Sequence, residues 1–172
     1  GKISLDTPAA EIITAFPFGP HVTVAHLLTH TSGLPDYFDE EEEVEVDAYA
    51  LLWEQRPVYA MQSARDFLPL FYTKSPKRLP GERFAYNNAG FLLLELIVET
   101  AGGAPFRDIV RRCVLDPAGM ADSGYFHTDR LPGRPALGYI PLPGAETAKG
   151  SPRTNIFAVP AIGGGDGGAI YI

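Results

Sequence analysis

Tyr86-Asn87-Asn88 puts a phenol beside a carboxamide on a short segment between the turn Pro80-Gly81-Glu82-Arg83-Phe84 and the apolar run from Phe91 to Val98. A buried helix anchoring such a loop is a way for a hydrolase to hold a proton shuttle, since a phenol can pass a proton and an amide can orient the partner. The nucleophile that such a loop would serve does not appear. Ser4 is followed at the third place by Thr7, Ser32 by Pro35, Ser63 by Asp66, Ser75 by Arg78, Ser123 by Phe126 and Ser151 by Thr154, so no Ser-x-x-Lys occurs.

Two further groups of residues could do chemistry. His26 and His30 lie four apart on the polar side of a predicted helix, a metal-ligand spacing that Asp36 or His127 could complete. No Glu follows His26, so the zinc-protease pattern fails. Imidazoles bonded to backbone near a helix C-terminus are the commoner arrangement. Gly163-Gly-Gly165-Asp-Gly-Gly168 has the G-x-G-x-x-G spacing, but a proline precedes it and Ala-Ile-Tyr-Ile follows, which is not the strand-to-helix context of a dinucleotide site. Glycines there let the backbone take positive φ and pass close to another segment. The composition implies no cofactor.

The chain has 172 residues, 45% hydrophobic and 20% charged, enough to bury a core within one domain or a large piece of one. Its net charge of −7 is local. Residues 39–47 (DEEEEVEVD) hold seven of the 21 acidic groups, and the remaining 14 balance 14 basic ones. A short solvated acidic loop accounts for this, with a cation site or binding tail as the alternative. No basic patch offers the counterion exchange that nucleic acid requires. No apolar run approaches the ~20 residues that span a bilayer, and residues 1–6 lack the order of a secretory signal. The one cysteine, Cys113, cannot form an intrachain disulfide and falls on the apolar side of a predicted helix, where core packing is expected.

The elements that must position Tyr86 and Asn88 read as follows. Thr7-Pro8 looks like a helix cap with proline at the first helical position, leading to Ile12, Ile13 and Phe16. Thr23 starts a second short helix with Val24, Leu27 and Leu28 on one face and Gly33 at its end. Asp47 caps a helix carrying Leu51 and Leu52, and Ser63 with Asp66 resembles a capping box before a helix that Pro69 shortens or kinks. Phe91 to Val98 is apolar except for Glu95, which predicts a helix buried nearly all round and stopped at Gly102-Gly103. Pro105 opens another helix, with Phe106, Ile109, Val110, Cys113 and Val114 inward, Arg107, Asp108, Arg111 and Arg112 outward, and Pro117 at its end. From Leu131 the density of proline and glycine favours loops and short strands, with a strand or helix start at Gly168–Ile172. One domain over 1–172 is expected, helical over about 1–130 and loop-rich over 131–172.

Pro80-Gly81-x-x-Phe84-x-Tyr86-x-Asn88, with Val24-Ala-His-Leu-Leu-Thr-His-Thr-Ser-Gly-Leu-Pro35 before it and Pro117-x-Gly-Met120 after it, resembles the serine β-lactamase and penicillin-binding-protein-like superfamily. The nearest resemblance is to its class C β-lactamase-like branch, with D-alanyl-D-alanine carboxypeptidases and esterases. The motifs run in order along nearly the whole chain, and Gly1-Lys-Ile-Ser-Leu-Asp6 is similar to the stretch after the family's nucleophile helix. The resemblance implies an acyl-enzyme formed on the Ser of Ser-x-x-Lys, with β-lactams, D-alanyl peptides or small esters as substrates. Tyr86 would be the acid/base partner, and Asn88 the amide that hydrogen-bonds substrate and steadies the lysine. A phenol with a reference pKa near ~10 needs neighbouring positive charge for that task. The family's Lys-Thr-Gly or His-x-Gly strand motif is absent, and Lys149-Gly150-Ser151 does not satisfy it. The expectation is therefore the middle section of a longer serine hydrolase, inactive alone. Its fold class is expected to be α+β, mainly the helical portion of a β-lactamase/transpeptidase-like fold with most of the antiparallel sheet missing. The apolar face so exposed would favour a homodimer. A non-catalytic relative that binds peptidoglycan-type peptides or a protein partner is the alternative.

Overall fold

A computed structural model describes residues 2–39, 51–54, 56–133, 135, 138–140, 153–154, 160–162 and 170–171. Most of the acidic loop, the Asp47 cap and the Gly163–Gly168 run lie outside the described residues.

Helices dominate. α1 is Val24–Leu28, α2 Leu68–Phe71, α3 Asn88–Gly102 and α4 Phe106–Val110, with single 3₁₀ turns at Ala9–Glu11, Val58–Ala60 and Ala64–Phe67. Leu51 and Leu52 are helical. Among the described residues sheet is sparse: β1 (Gly124–Tyr125) pairs antiparallel with β4 (Ile170–Tyr171), and β2 (Tyr139–Ile140) with β3 (Arg153–Thr154). β4 reaches back to β1, which lies inside the stretch expected to be helical.

α3 is the centre of the core. Leu92, Leu93, Leu96 and Ile97 are buried, and they pack with Leu27 of α1, with Phe67 and with Phe71 of α2. Each such side chain contributes about 1.5–3 kcal/mol through removal from water. Gly103 ends the helix in the left-handed region (φ +68°), its N–H bonded to the Glu99 carbonyl at 2.8 Å. A Cβ on Gly102 would stand 2.3 Å from Ile109 Cδ1, so α4 packs close against the end of α3 there and a larger residue would require the Ile109 side chain to move. Glu95 is buried with its apolar neighbours, in a polar recess lined by Gln62, Ser63, Glu99, Arg107 and His127.

Three sequence expectations change. The Thr7-Pro8 segment gives one 3₁₀ turn, because Pro8 is extended and bridges Thr23, with Ala9 N–H bonded to Val22 and Val24 N–H to Thr7. α1 starts at its Thr23 cap as expected but ends near Thr29, since His30, not Gly33, takes the first positive φ (+54°). After α4 the chain enters a π turn over Arg111–Leu115, closed by Asp116 N–H on the Arg111 carbonyl at 2.9 Å. An i→i+5 turn rotates the apolar face. Leu115 is buried, Cys113 and Val114 are exposed, and Arg111 turns in to reach the Ser123 carbonyl at 3.0 Å. The Ser63 and Asp66 box forms as read, with Asp66 Oδ2 accepting from Ser63 N–H at 2.8 Å.

This register is checked by urea unfolding of two single variants. Leu115→Ala should cost about 2–5 kcal/mol, whereas Val114→Ala should stay within about 0.5 kcal/mol. The reverse order would restore an unbroken α-helix.

Candidate active site

The segment 30–36 and the segment 77–90 lie side by side and build one site. Gly33 begins the pairing: its carbonyl accepts Lys77 N–H at 2.9 Å and Arg78 N–H at 3.3 Å. Its φ is +69°, and a Cβ there would fall 2.3 Å from the Arg78 carbonyl oxygen, so only glycine permits the approach. Thr31 accepts from Gly81 N–H and His30 from Ala85 N–H, both at 2.8 Å.

At the end of this pairing the first amides of α3 find side-chain partners in place of the carbonyls a helix start lacks. Asn87, not Asn88, is the cap residue: its Oδ1 accepts Gly90 N–H at 2.7 Å, and its Nδ2 donates to the Leu34 carbonyl at 3.1 Å. Asp36 accepts from Asn88 N–H and, at 3.1 Å, from Ala89 N–H. It also takes Tyr37 N–H at 2.7 Å, and its own carbonyl receives Lys74 Nζ at 2.8 Å. Burial pushes the Asp36 carboxyl above its ordinary value, against the opposing pull of the Asn88, Ala89, Tyr37 and Phe38 amides.

Tyr86 stands at the mouth of this arrangement, 45% exposed, so its phenol is not sealed in the core. Its ring lies 4.7 Å from the His30 imidazole. It borders a crevice of about 10 Å³, room for one water, together with Asp36, Asp39, Lys77, Arg78 and Asn87. Lys77 forms an ion pair with Asp39. Desolvation, then the nearby Arg78, hold the Lys77 pKa below its ordinary value, while Asp36 acts the other way. Asn88 is half-buried and leans its Nδ2 toward Asp36 Oδ2 at 3.4 Å. Asn88 thus turns its amide to the Asp36 carboxylate, while Tyr86, two residues earlier, borders the same crevice as Asp36.

The two imidazoles accept from backbone amides. His26 Nδ1 takes Thr23 N–H at 3.2 Å, and His30 Nδ1 takes Asn87 N–H at 3.1 Å. No cluster of three His, Cys, Asp or Glu side chains that could hold a metal is found among the described residues. His127 belongs to the recess beside Glu95. The sequence offered His26, His30 and Asp36 as possible metal ligands, with backbone bonding the commoner arrangement for the imidazoles, which is what both histidines show, and it passed over Asn87. A cap residue immediately before an apolar helix was the signal that could have found Asn87.

The Beta-lactamase family model matches residues 1–169. The chain belongs to the β-lactamase family. A penicillin-binding protein from Bacillus halodurans, known from its crystal structure, is 50% identical with a TM-score of 0.86, over 99% of this chain and 49% of that one. Penicillin-binding protein 4* of Bacillus subtilis (strain 168) is 31% identical over 143 residues, 81% of this chain and 30% of the relative. The D-alanyl-D-alanine-carboxypeptidase/endopeptidase AmpH of Escherichia coli (strain K12) is 30% identical over 107 residues, 62% of this chain and 25% of the relative. The β-lactamase/transpeptidase-like fold is thereby established, in a mainly helical form with little sheet, as is membership of a serine hydrolase family. The chain spans less than half the length of each of these three.

Asp36 yields a stability prediction with a definite sign. A carboxyl whose folded pKa is raised binds its proton more tightly folded than unfolded, so its contribution is present below the ordinary value of 3.8 and declines as pH rises through the folded pKa. Wild-type stability relative to Asp36→Asn should accordingly fall with rising pH across that window in urea titrations, and a gap that widens with pH would contradict it. Asp36→Ala should cost about 1–3 kcal/mol through the orphaned amides.

Proposed function

We propose that this chain carries the Tyr-x-Asn part of a serine acyl-transfer site, with Tyr86 as the acid/base group and Asn88 as the amide that orients substrate. The exposure of Tyr86, whose ring is open to a ligand arriving from solvent, supports this reading most directly. Lys77 and Arg78 line the crevice that Tyr86 borders and supply the sign of charge that favours phenolate, partly offset by Asp36 and Asp39. Asn88 would need only to turn its Nδ2 from a long 3.4 Å contact with Asp36 to meet a ligand. The Ser-x-x-Lys nucleophile and the strand motif are not in these 172 residues, so the reading is of a portion of a longer hydrolase that is inactive alone. In that whole protein a serine acyl-enzyme would act on β-lactams, D-alanyl peptides or small esters. The D-alanyl-D-alanine-carboxypeptidase name of a relative at 30% identity favours the peptide class.

The chain alone should show no turnover of a chromogenic cephalosporin or p-nitrophenyl acetate above buffer. Turnover that Tyr86→Phe leaves undiminished would defeat the reading. In a protein that includes the nucleophile, Tyr86→Phe should lower kcat/KM by about 10²–10⁴-fold. A complete protein in which another residue replaces that serine would instead favour the non-catalytic, peptide-binding reading.

The incomplete sheet has a physical counterpart in this reading. An open groove of about 600 Å³, lined by Ile3, Leu5, Leu28, Phe91, Leu94 and Val98, leaves one side of α3 and α1 uncovered among the described residues. A second copy of the chain is its proposed occupant when the chain stands alone, because the lining is nearly all apolar and each copy presents the same face. Light scattering should show concentration-dependent dimers that Leu28→Glu weakens. A monomer at high concentration would exclude the dimer.

A further inference from the structure

His30 touches the Tyr86 segment in three ways. Its carbonyl accepts Ala85 N–H at 2.8 Å, and its Nδ1 accepts Asn87 N–H at 3.1 Å, so the residues immediately before and after Tyr86 are both bonded to one histidine. Between these two bonds the imidazole faces the Tyr86 ring itself, with centroids 4.7 Å apart and planes tilted by 35°. Phe91 stacks on the imidazole at 5.0 Å, and Phe84 meets it edge-on at 5.7 Å. The imidazole is thus walled by three aromatic rings, one of which belongs to the first turn of α3.

The backbone at His30 is unusual in the direction this requires. A φ of +54° on a residue with a Cβ is disfavoured and persists only where the surroundings determine it. Here the surroundings are the two amides and the three rings. An imidazole that accepts on Nδ1 carries its neutral-form proton on Nε2, which defines the tautomer.

We propose that His30 is the positioning residue of Tyr86, fixing the phenol-bearing loop against α3 by clasping the peptide units on both sides of it. Its functional weight rests on the acyl-transfer reading above. The positioning itself is a property of this chain and can be measured in it.

The test is amide hydrogen exchange and ring-proton NMR on the 172-residue chain, with three variants. His30→Phe keeps an aromatic ring and removes the acceptor. His30→Asn keeps a side-chain acceptor and tolerates positive φ. His30→Gly keeps only the backbone conformation, and it serves if the bulkier change prevents folding. In His30→Phe and His30→Gly, exchange at Asn87 N–H should accelerate about tenfold while Leu93 and Leu96 keep their protection. The Tyr86 ring resonances should move in both. His30→Asn should restore slow exchange at Asn87. Unchanged Asn87 exchange and Tyr86 resonances, or an equal acceleration at Asn87 and in the core, would overturn the proposal, the latter because it marks only global destabilisation. The Tyr86→Phe kinetics of a nucleophile-bearing protein decide the acyl-transfer reading separately, so either can fail while the other stands.

Discussion

A carboxylate shut away from water at the start of a helix is subject to two opposed effects. Burial disfavours its charge, while helix amides that have no carbonyl partner attract it. Asp36 sits where these meet, beneath Asn88 and Ala89. Because its carbonyl also holds the Lys74 ammonium, the loop after α1, the segment beyond α2 and the first turn of α3 are tied at one point. The Tyr86 loop hangs between that point and His30.

The site also inherits its rigidity from the core. Asn87 and Asn88 open a helix whose next turns bury Leu92, Leu93, Leu96 and Ile97, so the first turn cannot shift without disturbing that packing. The same helix has a second face, where Phe91, Leu94 and Val98 remain half-covered beside α1. One element therefore supports the candidate site at its end, a closed core along one side and an open apolar surface along another. Phe91 belongs to two of these, since it lines the groove and stacks on His30.

What could be read from the sequence was what local chemistry dictates. The run from Phe91 to Val98 with Gly102-Gly103 beyond it gave a helix with the correct stop, and Thr23 and Ser63 gave correct starts. The ordered motifs gave the family. Illegible were features set by partners distant in sequence. His30 takes a positive φ because it is held by residues more than fifty positions later, and the modest tolerance of histidine for that region does not by itself mark the position. A regular 3.6-residue period after Pro105 is interrupted by one π turn, which leaves Cys113 and Val114 outward and brings Arg111 and Leu115 inward. Asp36 read only as a possible metal ligand. Its burial follows from Gly33, whose missing side chain lets residues 77 and 78 come in close.

That π turn leaves the chain's one thiol, Cys113, facing solvent on an element separate from the Tyr86 loop. A maleimide dye or spin label can therefore be attached at a single defined place without engineering away competing sulfhydryls. The native sequence already carries a reporter handle for following ligand encounter or self-association by fluorescence.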